Sequence, residues 1–228
     1  MLFIAATVLI SPSTRAAESS LVTSNTRLDF EAGNNVQAIT IANPGAAPIR
    51  VQARILRWHD SGTADIYSPT TDIGFSPALF SLAPQASQFI RFVVLAPRSE
   101  RETAYRLVID QLPDAPTARH VAFPVRLIIP VFVDTYDRKA APHLTWRAYA
   151  EHRRVTLSAY NRGAVHARLS DLTYTYDGKP HVIMAGLAGY VLPGESHSWI
   201  FPFHGALLDI AAVTEQGAIH QSVPLTAP

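Results

Sequence analysis

Gly194-Glu195-Ser196-His197-Ser198 sets hydroxyls beside an imidazole in a chain of 228 residues. A nucleophile elbow reads G-x-S-x-G and sits on a strand-to-helix turn that exposes its serine. Here Ser198 stands where the closing glycine belongs, and no helical pattern follows, so the match fails. The nine histidines raise the question of metal binding, but none forms an H-x-x-x-H pair on a helix. His120 and His181 stand alone, and His59-Asp60 precedes Gly62 and reads as a polar loop. Cysteine is absent, which excludes disulfides, thiol nucleophiles and cysteine-bound zinc. No P-loop and no G-x-G-x-x-G cradle is present, and no constellation suggests the two positioned carboxylates of a glycosidase. These residues assign no catalytic group, no metal and no cofactor.

Charge narrows the field of partners. Nineteen basic and eighteen acidic residues give a formal net charge of +1, leaving no excess to neutralise phosphates, so nucleic acid is not an expected partner. With 48% hydrophobic and 16% charged residues, the chain can bury a core. Leu2 to Ile10 is an apolar run too short for a bilayer, which needs about 20 residues. It suits the apolar region of a signal peptide, although no Lys or Arg precedes it. Cleavage after Ala16 would place small residues, Thr14 and Ala16, at the required positions. The expectation is an exported protein with residues 1–16 removed and no membrane insertion.

The elements that must position any site are strands. Arg50-Val51-Gln52-Ala53-Arg54-Ile55 alternates polar and apolar residues, as a half-buried strand does. Tyr105, Leu107 and Ile109 alternate with Arg106, Val108 and Asp110. Val36 to Ile41, Phe89 to Leu95, Val155 to Ala159 and Trp199 to Phe203 are rich in β-branched and aromatic residues. Asn43-Pro44-Gly45, Asp60-Ser61-Gly62, Asp177-Gly178 and Pro193-Gly194 supply turns between them. Many short strands of this kind predict an all-β fold of sandwich type. Asp134 to Pro142 forms a polar break, and a sandwich of about 100 residues fits on either side.

One segment stands out. His120 to Val133 reads HVAFPVRLIIPVFV. Val121, Phe123, Val125, Leu127 and Ile129 share one face, while His120, Ala122, Pro124, Arg126, Ile128 and Pro130 share the other. Pro124 cannot donate a ladder hydrogen bond, so it belongs on an edge strand or at a bulge. Proteins normally blunt an edge strand carrying large apolar residues, because it aggregates. Retaining one points to strand addition with another chain. The pattern alone equally allows an ordinary internal strand covered on both faces.

The order and spacing of several short motifs extend over nearly the whole mature chain. They include Thr26-Arg27-Leu28-Asp29-Phe30, Ile41-Ala42-Asn43-Pro44-Gly45, Ser76-Pro77 and Tyr105 to Pro113. Val125 to Phe132, Asn161-Arg162-Gly163, His166 to Ser170 and Gly189 to Gly194 follow. Together they make the chain resemble periplasmic pilus-assembly chaperones of the chaperone–usher pathway, in their archaic, Csu-type branch. The resemblance implies two immunoglobulin-like β-sandwich domains set in an L with a cleft between them, over residues 17–135 and 141–228, joined by 136–140. It implies a mechanism in which the chaperone lends its G1 strand to a pilus subunit lacking its own last strand. The subunit is then delivered to an outer-membrane usher. On this resemblance Val121, Phe123, Val125 and Leu127 are the lent side chains.

The same resemblance implies a cleft that holds the subunit's terminal carboxylate. Guanidinium is suited to that task, since it is always charged and binds carboxylate in a bidentate fork. Arg106 and Arg126 are the pair expected for the archaic branch, and Arg27 with Arg126 the pair expected for the better-known branch. The resemblance leaves open whether free molecules cap the apolar edge by self-association. A second reading, a secreted adhesin or carbohydrate-binding sandwich, rests on the β architecture and on Tyr174, Tyr176 and Trp199 as exposed aromatics.

Overall fold

The computed structural model describes residues 21–113, 124–203, 205 and 207–226. The expected signal segment 1–16 and the expected donor residues Val121 and Phe123 lie outside them. The first half contributes β1 (Val22–Thr23), β2 (Leu28–Phe30), β3 (Val36–Ala42), β4 (Ile49–Gly62) and β5 (Asp65–Pro69). It continues with β6 (Ile73–Ser76), β7 (Leu79–Leu82), β8 (Ser87–Val94), β9 (Thr103–Leu112) and β10 (Arg126–Val133). The second half contributes β11 (Leu144–Glu151), β12 (Arg154–Asn161), β13 (Ala167–Tyr176), β14 (Lys179–Val191), β15 (Ser196–Pro202), β16 (Leu207–Thr214) and β17 (Gly217–Thr226). No strand lies between Val133 and Leu144, where the polar break falls.

Alternation decides which side chains go inside. Val51, Ala53 and Ile55 of β4 are buried, while Arg50 and Arg54 point out. They join Leu107 and Ile109 of β9 and Ile129, Val131 and Val133 of β10. Across the sandwich they meet Ile39 and Ile41 of β3 and Ile90 and Phe92 of β8, in one core. The two facing sheets run β1-β3-β8-β6 and β4-β9-β10-β2, with β5 and β7 both on β4. The second half buries Val155, Leu157, Leu169, Trp199, Leu208 and Ile210 in a separate core.

Each half closes one end with a buried asparagine. Asn43 Nδ2 donates to the carbonyls of Ala47, Leu82 and Ala83, and Gly45 N–H donates to its Oδ1. Asn161 Nδ2 donates to Val165 and Val191, and its Oδ1 accepts from the His143 and Gly163 N–H groups. A side chain at Gly163 would place Cβ 2.2 Å from the Ala141 oxygen, so only glycine fits that turn. The Asp177-Gly178 turn joins β13 to β14 with φ of 48° and 71°, the left-handed pair that a two-residue hairpin requires.

The expected Asp60-Ser61-Gly62 turn opens the β4–β5 hairpin, with Gly62 at φ 93° and the Ser61 N–H donating to the Ala64 oxygen. The same residues also meet a partner from the other half. Ser61 and Gly62 pair in parallel with Ser196 and His197 of β15. The sheets of the two halves therefore run into one another through β4 and β15.

Candidate functional site

Among the described residues, β10 is paired along its whole length on one side only. Arg126 to Val133 lies antiparallel to β9, in register from Asp110 to Thr103. On its other side β2 covers only Val131 to Val133. The Gln111 N–H donates to the Val125 oxygen, and the Asp134 N–H to the Phe30 oxygen. In an antiparallel ladder the backbone groups of alternate residues face opposite sides. Odd-numbered residues from Val125 onward therefore face β9, and even-numbered ones face away. The outward series is Pro124, Arg126, Ile128 and Pro130, so only Arg126 and Ile128 present an N–H to the open edge. The Ile128 side chain is 51% exposed. Val125 and Leu127 are half-buried against the first core, on the opposite face.

Beside this edge lies a cavity of about 450 Å³. Its walls include Arg27, Arg106, Ile128, Arg168, Tyr190 and Glu215, drawn from both halves. Arg106 of β9 stands opposite Pro130. Its guanidinium lies 3.5 Å from the centroid of Trp58 and 5.8 Å from that of Tyr190. Its Nη2 is 3.5 Å from Asp65, and its Nε is buried without an acceptor. Arg27 donates from Nε to Asp29 Oδ2 at 2.7 Å and from Nη1 to Glu215 Oε1. Burial works against the Arg27 charge, but the bonds to Glu215 and Asp29 outweigh it and hold the guanidinium firmly protonated.

The cavity thus brings Arg27 and Arg106 together and leaves Arg126 apart. Arg126 is not among the cavity's lining residues, although Ile128, two residues or roughly 7 Å along the strand, is. It bonds through Nε to Asp110 Oδ1, directly across the ladder. Asp110 also accepts from Arg54 Nη2 at 2.6 Å. Burial raises the Asp110 carboxyl pKa, but the hydrogen bonds and charges of Arg126 and Arg54 prevail and hold it below the usual carboxylate range. Sequence reasoning missed Arg168 and Glu215, because nothing local marks either as cleft residues.

The two halves meet at a joint that sequence reasoning also missed. Trp58, Phe132, Tyr190, Leu192 and Ala104 form a third buried cluster, with Trp58 edge-on to Tyr190 at 5.8 Å. His166 stacks on Phe132 at 3.7 Å, and its Nδ1 lies 2.8 and 3.0 Å from the Glu102 carboxylate oxygens. Burial pushes the Glu102 carboxyl above the usual carboxylate range, against the pull of its bonds from His166. His59 and Asp60, expected as a polar loop, belong to β4 and to this joint. His59 Nδ1 lies 2.7 Å from Glu195, and the Asp60 N–H donates to the other Glu195 oxygen at 2.6 Å. His197 faces Asp60, whereas Ser196 and Ser198 point to the opposite side of β15, where Ser198 bonds Ser158. His197 therefore forms no nucleophile–base pair with either neighbouring serine. Trp199, expected as an exposed aromatic, is a core residue whose Nε1–H donates to the Ala188 oxygen.

Two β-sandwiches with an arginine-lined cavity between them define a two-domain, immunoglobulin-like all-β protein. The chain belongs to the pili and flagellar-assembly chaperone family, whose PapD N-terminal domain matches residues 20–134. Solved structures agree in fold. One is the CsuC–CsuE chaperone–tip adhesion subunit pre-assembly complex from archaic chaperone-usher Csu pili of Acinetobacter baumannii. A chain of that complex matches with a TM-score of 0.70 and 24% identity over 92% of this chain and 100% of its own. The complex of the Salmonella enterica SafA pilin with the SafB chaperone matches at 0.65 and 19% identity, over 92% and 99%. The E. coli chaperone DraB matches at 0.61 and 22% identity, over 90% and 97%. No curated protein sequence matches the chain.

Proposed function

We propose that the protein captures pilus subunits in the periplasm by lending them the strand that leads into β10, and hands them to an outer-membrane usher. The supporting observation is the open edge of β10 from Arg126 to Pro130, lying beside a cavity lined by three arginines. The Val121 and Phe123 side chains enter the subunit's open groove. Val125 and Leu127, half-buried against the first core, continue the lent series at its root. Each large apolar side chain so buried contributes roughly 1.5–3 kcal/mol. Arg27 and Arg106 receive the subunit's terminal carboxylate within the cavity. Arg126, tied to Asp110, stiffens the root of the lent strand. The sandwich boundaries 17–135 and 141–228 and the removal of residues 1–16 on export belong to this reading.

The test is capture. The tagged protein, co-expressed with subunits from its own gene neighbourhood, is expected to come down with a small β-rich subunit one-to-one. Arg27→Ala combined with Arg106→Ala is expected to abolish that co-purification while the variant keeps its thermal transition. Undiminished capture by the folded double variant would overturn the anchor.

A further inference from the structure

Arg27 and Glu215 are separated by 188 residues and belong to different halves, yet they form an ion pair inside the arginine cavity. Glu215 stands at the tip of the β16–β17 hairpin. That tip is braced by the Thr214 hydroxyl, which donates to the Gly217 oxygen and accepts from the Gln216 N–H. Asp29 already occupies Arg27 Nε. The terminal nitrogens are then the fork left for a carboxylate that binds in bidentate fashion, and Glu215 holds one of them, Nη1. Elsewhere in the cavity the positive charge is poorly answered. Arg168 has no acidic partner among the described residues, and Arg106 Nε is buried without an acceptor.

We propose that Glu215 is a built-in competitor for the cleft, occupying at Arg27 the place of an incoming peptide's C-terminal carboxylate. This deepens the capture reading above and rests on it. Binding then exchanges one ion pair for another. The guest carboxylate takes the Arg27 fork with Arg106 and Arg168 beside it, and Glu215 turns to solvent. Because Glu215 belongs to the second half, loading the cleft also removes one tie between the halves. An empty cleft is held together by its own carboxylate, and an occupied one by the guest's. Exchange costs little, since both Arg27 and Glu215 are about one-third exposed and such pairs are weak. The device therefore lowers the cleft's affinity for a carboxylate guest without blocking entry.

Glu215→Gln keeps the size of the side chain and removes its charge. The probes are N-acetyl-Ala-Phe with a free carboxylate and the same dipeptide amidated, titrated against the full chain and followed at the arginine Nε–H resonances. Glu215→Gln is expected to bind the free acid roughly two- to fivefold more tightly than wild type. The gain should shrink as salt rises, and binding of the amide should be unaffected. Arg168→Gln is expected to weaken the acid by a similar factor. Equal affinity of wild type and Glu215→Gln for the acid, or equal gains for acid and amide, would overturn the proposal. So would a subunit complex that forms normally while the acid fails to perturb Arg27, Arg106 and Arg168; the capture reading would then stand without it. A wild-type protein that captures no subunit would remove the capture reading itself.

Discussion

Asp110 shows what a single residue contributes at the root of the strand proposed above to be lent. Its carboxyl lies below the usual range because Arg126 and Arg54 together outweigh its desolvation. A depressed carboxyl stabilises the fold above its unfolded value and loses that contribution as pH falls through its folded value. Asp110→Asn is therefore expected to cost about 1 kcal/mol at pH 7, modest because Arg126 is largely exposed. Urea titrations across pH should show the gap to wild type closing below the ordinary carboxylate value of 3.8. Asn161 works by a different route. Fully buried, it satisfies two backbone donors and two carbonyls, so Asn161→Ala is expected to cost about 3 kcal/mol in the same assay. These residues differ in how legible they are. Arg27, Arg106 and Arg126 could be singled out as candidate carboxylate binders from their type and from the motifs around them, and that role belongs to the proposal above. Arg168 and Glu215 could not, because a cleft residue is marked by what faces it across the fold.

At the scale of elements the alternation in sequence located the strands well, since a period of two follows directly from one buried face. At the end of β4, Asp60-Ser61-Gly62 leads into its turn as expected, and what the sequence does not show is the parallel pairing of Ser61 and Gly62 with β15. Local composition carries no trace of a strand arriving from the other half. In β10 the pattern placed Leu127 and Ile129 on one face and Ile128 on the other; the structure separates them likewise and packs Leu127 and Ile129 against the first core. That contrast makes a paired prediction. Ile128→Asp is expected to leave the melting temperature within a few degrees of wild type while eliminating subunit co-purification, because a charge on an open edge repels an added strand. Ile129→Asp places the same charge in the first core and is expected to prevent folding altogether. Expression, circular dichroism and co-purification of the two variants separate the edge from the core.

As a whole, the molecule is two cores held by a joint that is partly aromatic and partly ionic. Trp58, Phe132 and Tyr190 supply the apolar part, and Glu102 with His166 seals it. Glu102→Ala leaves the His166 N–H and ring nitrogen buried without their acceptor, a loss of about 2–3 kcal/mol at the joint. Calorimetry is expected to show a single transition in wild type and two separated ones in the variant, as each core melts alone. The composition of the joint explains why it was hidden in the sequence. Its members come from β4, β9, β10 and the segments around β13 and β14, and each looks locally like an ordinary strand residue. The outward prolines, Pro124 just before β10 and Pro130 within it, have a consequence for turnover. A strand laid along the edge from Pro124 to Pro130 finds an N–H at Arg126 and Ile128 and none at either proline. It is sewn on with missing stitches, so its grip depends on side chains more than on the backbone. Such a seam opens one stitch at a time. On the capture reading proposed above, a competing strand advances into each gap as it appears, with no moment at which the whole guest must come loose.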